Sequence, residues 1–151
     1  HLMIKPVKMY IKEFIDAGSD IITFHPEADD NVEEIIKIIS DAKIKAGIAI
    51  HPSVNISDID HLFNQVQQII VMTVTPGFGG QKFMHDQVQK IKDLDEIRKK
   101  NNYKYDISID GGINIDNAKF CKDSGANVLA VGSYLLSQNQ NKYMKIINSL
   151  R

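Results

Sequence analysis

The chain has 151 residues, 43% hydrophobic and 25% charged, the composition of a globular domain large enough for a real core. A net charge of −1, with lysines spread along the chain, argues against nucleic acid or an anionic membrane surface as a partner. The single cysteine, Cys121, excludes an intramolecular disulfide and fits a reducing compartment. With no apolar run near the ~20 residues of a membrane span and no signal peptide, the expected location is the cytoplasm.

Strand-like and helix-like segments alternate throughout, the pattern of parallel βα architecture. Strands are predicted over 1–4, 20–25, 46–50, 68–74, 106–110 and 128–132. The first helix runs from Pro6 to Ala17, with Gly18 as its stop. The second, Asp30 to Lys45, is the clearest: Val32, Ile35, Ile36 and Ile39 fall at helical spacing, and Asp29 or Asp30 can cap it. Ser57 is the predicted N-cap of a third helix opening Ser57-Asp58-Ile59-Asp60. A lysine-rich helix follows over 83–100, then Asp116 to Ser124 ending at Gly125, then 138–150.

These make about six βα units in one domain, 1–151. A closed (β/α)8 barrel takes eight units and typically ~250 residues, so the domain reads as an incomplete TIM barrel. The sequence opens at His1 and its first methionine is Met3, so a piece of something longer is expected. Two open strand edges and an uncovered apolar face predict association, either with a missing N-terminal part or as a homo-oligomer.

Three strand ends carry the chemistry. Val71-Met-Thr-Val-Thr-Pro-Gly-Phe-Gly-Gly-Gln-Lys-Phe83 ends an apolar run in a Pro-Gly turn, then opens into a Gly-rich loop ahead of a helix. Glycines let backbone N–H groups approach an anion, and a helix start adds donors and a favourable dipole. Alone such a loop is as readily an ordinary turn. Ile107-Ser108-Ile109-Asp110-Gly111-Gly112-Ile113 repeats the logic with an acid added, and Val128-Leu-Ala-Val-Gly-Ser133 repeats it without one. Asp110, at the C-terminal end of a buried strand, is the prime candidate catalytic residue. Its bland alternative is capping the next helix, for which Asn114 and Asp116 are better placed.

Together with His1-Leu2-Met3 and Thr23-Phe-His-Pro-Glu-Ala28, in this order, these motifs resemble the ribulose-phosphate 3-epimerase family, with Met72-Thr-Val-Thr-Pro-Gly-Phe-Gly-Gly-Gln81 the most specific string. The resemblance implies a TIM barrel of the ribulose-phosphate-binding type, lacking its first two βα units here. It implies interconversion of D-ribulose 5-phosphate and D-xylulose 5-phosphate, in the pentose phosphate pathway and the Calvin cycle, by metal-assisted proton transfer at C3.

On the same resemblance Asp110 is both acid/base group and metal ligand, and His1 is a metal ligand. The ion is divalent, zinc first, with iron, manganese or cobalt as alternatives. The family's second histidine, and the aspartate that is its other acid/base carboxylate, fall outside this sequence, so the chain alone is expected to be a poor enzyme. His1, Gly77, Phe78, Gly79, Gly80, Asp110, Gly111, Gly112, Gly132 and Ser133 match substrate and phosphate contacts. Met3 and Met72 match residues lining the reaction centre, with core packing an equal alternative. His25 is read as orienting its neighbours rather than ligating. His51 departs from the family pattern and receives no role, and His61 and His85 read as solvated surface. Two other functions stay open: a related epimerase for allulose 6-phosphate, and a non-catalytic phosphate-binding remnant. A strand ending His-x-Asp about 30 residues before His1 would favour the enzyme.

Overall fold

The apolar, mostly β-branched runs of the sequence form the strands. The computed structural model describes residues 1–29 and 31–151, and in it five parallel strands make one sheet. They are β1 (Ile21–Phe24), β2 (Lys45–Ile50), β3 (Gln68–Met72), β4 (Asp106–Asp110) and β5 (Val128–Ala130), side by side in chain order. Parallel strands in sequential order, each joined to the next by a crossover, are the wall of a barrel rather than a doubly wound sheet. The register aligns Met72 with Asp110 and Asp110 with Ala130, so the C-terminal ends of β3, β4 and β5 come level at one face.

Alternation along the strands separates two apolar layers. Ile22, Phe24, Ile48, Ile50, Ile69, Val71, Ile107 and Ile109 point to the helices and join the main core. Ala49, Ile70, Met72 and Val74 form a smaller buried cluster of their own. Helix α1 (Lys8–Asp16) precedes β1, α2 (Val32–Asp41), α3 (Val88–Asn101) and α4 (Ile115–Asp123) lie in the crossovers that lead to β2, β4 and β5, and α5 (Ser133–Leu136) and α6 (Tyr143–Leu150) follow β5. In α2 the predicted stripe is real: Ile35, Ile36 and Ile39 are buried, each stabilising by about 1.5–3 kcal/mol. Cys121 of α4 is buried too, which pushes its thiol up to about 11. Among the described residues no helix is long and apolar enough to cross a membrane.

Several boundaries differ from the sequence expectation. The strand expected over 1–4 is one bridge, Leu2 to Phe24, held by Leu2 N–H donating to Thr23 O at 2.8 Å. Pro6, which has no N–H and restricts Lys5, stops the ladder from growing. β5 ends at Ala130 instead of 132, because Gly132 caps the unforeseen short helix α5. The helix expected from Ser57 is two 3-10 turns, Ile56–Asp58 and Asp60–Leu62. Ser57 caps nothing; its hydroxyl lies 3.5 Å from Asp58 Oδ1, as befits a short segment of residues that compete with helical hydrogen bonds. Asn31, not Asp29, caps α2, accepting from Glu34 N at 3.3 Å; Asp30, the alternative cap, lies outside the described residues. Lys45 opens β2 rather than closing α2, because Lys43 turns the chain at φ 64°.

At the opposite, N-terminal end of the strands the sheet is tied to α3 by Arg98. Its guanidinium donates to Tyr105 O at 3.2 Å, Gly125 O at 3.2 Å, Asn127 Oδ1 at 2.5 Å and Asp95 Oδ1 at 2.6 Å. Asn127 Oδ1 also accepts from Ile107 N at 3.1 Å, so one cation joins the entrances of β4 and β5. Burial works against the charge of Asp95, but hydrogen bonds from Lys99 and Arg98 outweigh it and hold the carboxyl below its usual range. A carboxyl lowered in the folded state contributes fully above the ordinary value near 4, and that contribution disappears as pH falls through the folded value. Wild-type stability in denaturant should therefore drop more steeply between about pH 6 and pH 2 than that of Asp95→Asn. Parallel profiles would contradict this account of the cluster.

Candidate active site

The cleft lies at the level C-terminal ends of β3, β4 and β5, and six glycines are among the residues that line it. Its volume is about 300 Å³. Met3, Met72, Gly77, Phe78, Gly79, Gly80, Asp110, Gly111, Gly112, Gly132 and Ser133 all line it, so loops far apart in sequence meet around one space. A Cβ placed on Gly79 would lie 3.6 Å from Ser133 Oγ across it. The two methionines differ: Met72 is 1% exposed and packs with Ala49, Ile70 and Val74, whereas Met3 is 48% exposed at the rim. Phe78 is 82% exposed at the tip of its loop.

Gly111 and Gly112 are required where they stand. Gly111 has φ 128°, and a Cβ there would fall 2.5 Å from Val74 Cγ2. Gly112 has φ 64°, and a Cβ would meet Phe83 N at 2.7 Å. Only glycine supplies both the left-handed backbone and the close approach. Asn114 then caps α4, accepting from Asp116 N at 2.9 Å and Asn117 N at 3.2 Å, while Asn117 Oδ1 accepts from Asn114 N. The capping is thus done by Asn114, and the Asp110 carboxyl is left facing the cleft.

His1 reaches this group through Asp110: its Nδ1 lies 3.2 Å from Asp110 Oδ2. Its Nε2 lies 3.1 Å from His25 Nε2, and the two rings are 5.1 Å apart. If His1 Nδ1–H donates to the carboxylate, the neutral ring accepts at Nε2, and His25 must donate from its own Nε2. Burial lowers the His25 pKa, opposed by Glu27, whose Oε1 lies 3.4 Å from Nδ1. Burial also pushes the Asp110 carboxyl up, opposed by the nearby His25. His1 and Asp110 offer one nitrogen and one oxygen donor suited to a divalent cation, but no group of three or more His, Cys, Asp or Glu that could hold one occurs among the described residues.

The remaining histidines lie apart from this chain of contacts. His51 Nδ1 accepts from Ser53 in a local turn, at 2.8 Å from Oγ and 3.2 Å from N. His61 is exposed 3.6 Å from Glu33, and His85 is exposed with its ring against Phe83. Two residues that sequence reasoning left without a role hold the cleft together. Gln81 donates to the loop beside it. Thr73, fully buried, donates from Oγ1 to Gly111 O at 2.6 Å. A hydroxyl inside the family-specific string, directly after an apolar strand run, was the one available signal for Thr73.

A profile described as the ribulose-phosphate 3 epimerase family matches residues 1–136. This chain belongs to that family. It is 38% identical over its whole length to the ribulose-phosphate 3-epimerase of Bacillus subtilis, covering 69% of that protein. It is 36% identical to that of Buchnera aphidicola from Schizaphis graminum, again over its whole length, covering 65%. The chain thus spans about two thirds of the length of these family members. Among solved structures it resembles KGPDC from Streptococcus mutans, with a TM-score of 0.70 and 14% identity over 97% of this chain and 65% of that one. It also resembles 3-hexulose-6-phosphate synthase from Salmonella typhimurium, with a TM-score of 0.65 and 20% identity over 94% and 66%. Both likenesses concern the fold, a TIM barrel.

Within the family fold, Thr73 locks the end of β3 to the turn after Asp110. Thr73→Val keeps the shape but leaves Gly111 O without its side-chain donor, and should destabilise the chain by about 1–3 kcal/mol. Thr73→Ser should recover most of that loss, since it restores the hydroxyl. Urea denaturation of the three proteins checks both statements.

Proposed function

We propose that this chain carries the phosphate-binding half and one acid/base group of a ribulose-phosphate 3-epimerase. The reading rests on one observation: the half-buried carboxyl of Asp110, held by His1, opens into the same cleft as Gly80, Gly112, Gly132 and Ser133. The phosphate of a pentulose 5-phosphate would be received by backbone N–H groups at the glycine end, which need no lysine or arginine. Its carbonyl and C3 would then lie toward Asp110, which removes the C3 proton or returns one. Epimerisation needs a second proton donor on the opposite face, and by the family resemblance this comes from residues outside the present sequence.

His1 and Asp110 would supply two ligands to a divalent cation, whose chemistry is to stabilise the negative charge developing on the substrate oxygens. The buried apolar floor of Met72, Ile70 and Val74 excludes water beneath the reacting carbon. The proposed setting is the cytoplasm, in keeping with a single buried thiol. Because one face of the chemistry is unsupplied, the chain alone should show negligible epimerase activity and should associate, with itself or with the complementary part of the barrel.

Two measurements test this. Mixed with the N-terminal third of a family member, the chain should gain activity on D-ribulose 5-phosphate. In that pair Asp110→Asn should lower turnover by about 10²–10⁴-fold while sugar-phosphate binding persists. Turnover within threefold of wild type would remove Asp110 from its role. Preference for allulose 6-phosphate, or phosphate binding with no turnover in the mixed protein, would favour the other ketose phosphate or the non-catalytic remnant. Full activity from a monomeric chain, by mass in solution, would contradict the division of labour set out above.

A further inference from the structure

The loop that contributes most of the cleft has almost nothing of its own to hold it. From Val74 to Phe83 the backbone makes one tight turn, at Pro76 and Gly77, and no other regular feature among the described residues, and Thr75, Gly77, Phe78, Gly79 and Gly80 are exposed. The base of the loop is closed by Met84 N–H donating to Thr73 O at 2.8 Å. Above that base, among the described residues, one side chain bonds to the loop backbone. Gln81 Nε2 donates to Thr75 O at 2.6 Å and to Phe78 O at 2.8 Å. A primary amide carries two protons, and here each has its own carbonyl.

The clamp also fixes the peptide that follows Phe78, and Gly79 lines the cleft. The Phe78–Gly79 peptide is planar and trans, so turning Phe78 C=O toward Gln81 sends Gly79 N–H to the opposite side. Backbone donors bind an anion well only when they are oriented before it arrives, because ordering them on arrival offsets the gain. A glycine-rich loop with so little regular structure is otherwise free to present those donors in many directions.

We infer that Gln81 is the positioning residue of the anion-binding loop: its carboxamide clamps residues 75–80 in the one conformation that receives the substrate's phosphate. The inference rests on the phosphate reading of the cleft, and the experiment separates the two.

The probes are inorganic phosphate and the backbone heteronuclear NOE, read by NMR on the full 151-residue chain as wild type, Gln81→Glu and Gln81→Leu. In wild type, phosphate should shift the amide signals of Gly79, Gly80, Gly112 and Gly132. In both variants the NOE values of 77–80 should fall to those of a mobile segment, and the phosphate Kd should rise by about tenfold, the effect of losing two ordinary hydrogen bonds. NOE values in β3 and β4 should stay as in wild type, which separates a local clamp from loss of the fold. Weaker phosphate binding in Gln81→Glu but not in Gln81→Leu would mean that added charge alone is responsible, and would overturn the clamp. So would phosphate binding within twofold of wild type, with unchanged loop NOE values, in both variants. No phosphate response in wild type would overturn the phosphate reading itself, while the NOE data would still decide whether Gln81 holds the loop.

Discussion

The junction between the ends of β3 and β4 is the constraint on which the cleft depends. Met72 stands opposite Asp110 in the sheet, and Thr73 continues the contact past the last paired residues: its N–H donates to Asp110 O at 2.9 Å and its hydroxyl to Gly111 O. Its own carbonyl accepts from Met84, where the Gly-rich loop returns. One buried residue therefore fixes the strand that carries the acid, the turn that carries two glycines and the base of the loop facing them. A shift of register by one residue would turn Asp110 away from the cleft, because side chains alternate between the two faces of a strand.

Stability and chemistry occupy opposite ends of the same strands. At the N-terminal ends Arg98 satisfies two carbonyls and an amide oxygen from the segments that lead into β4 and β5. At the C-terminal ends six glycines line the cleft, and where they do a small anion can approach the backbone closely. Parallel βα architecture permits this division because every strand runs the same way, so all turns after the strands share one face.

Much of this was legible in the sequence, and the parts that were not share a cause. Glycine pairs at strand ends, the acid before Gly111 and the stripe of α2 are local patterns, and the structure places each where its pattern implies. The contact between His1 and His25 depends on a single bridge between Leu2 and Phe24, which no local pattern encodes. The roles of Thr73 and Gln81 lie in hydrogen bonds to carbonyls, and carbonyls leave no mark in a sequence. Ser57 failed as a cap because its segment is too short and too rich in side chains that compete for backbone hydrogen bonds. Asn31 succeeded in capping α2, although an aspartate two residues earlier looked as well suited.

The sole thiol of the chain has a practical consequence. Cys121 is enclosed in the core with its ionisation pushed up to about 11, so near neutral pH it is neither accessible nor a thiolate. Thiol-alkylating reagents therefore find no target in this chain while it is folded. The molecule comes with a blank background for thiol chemistry, and a reporter cysteine set at the exposed loop tip would be labelled alone, with no need to remove the native one.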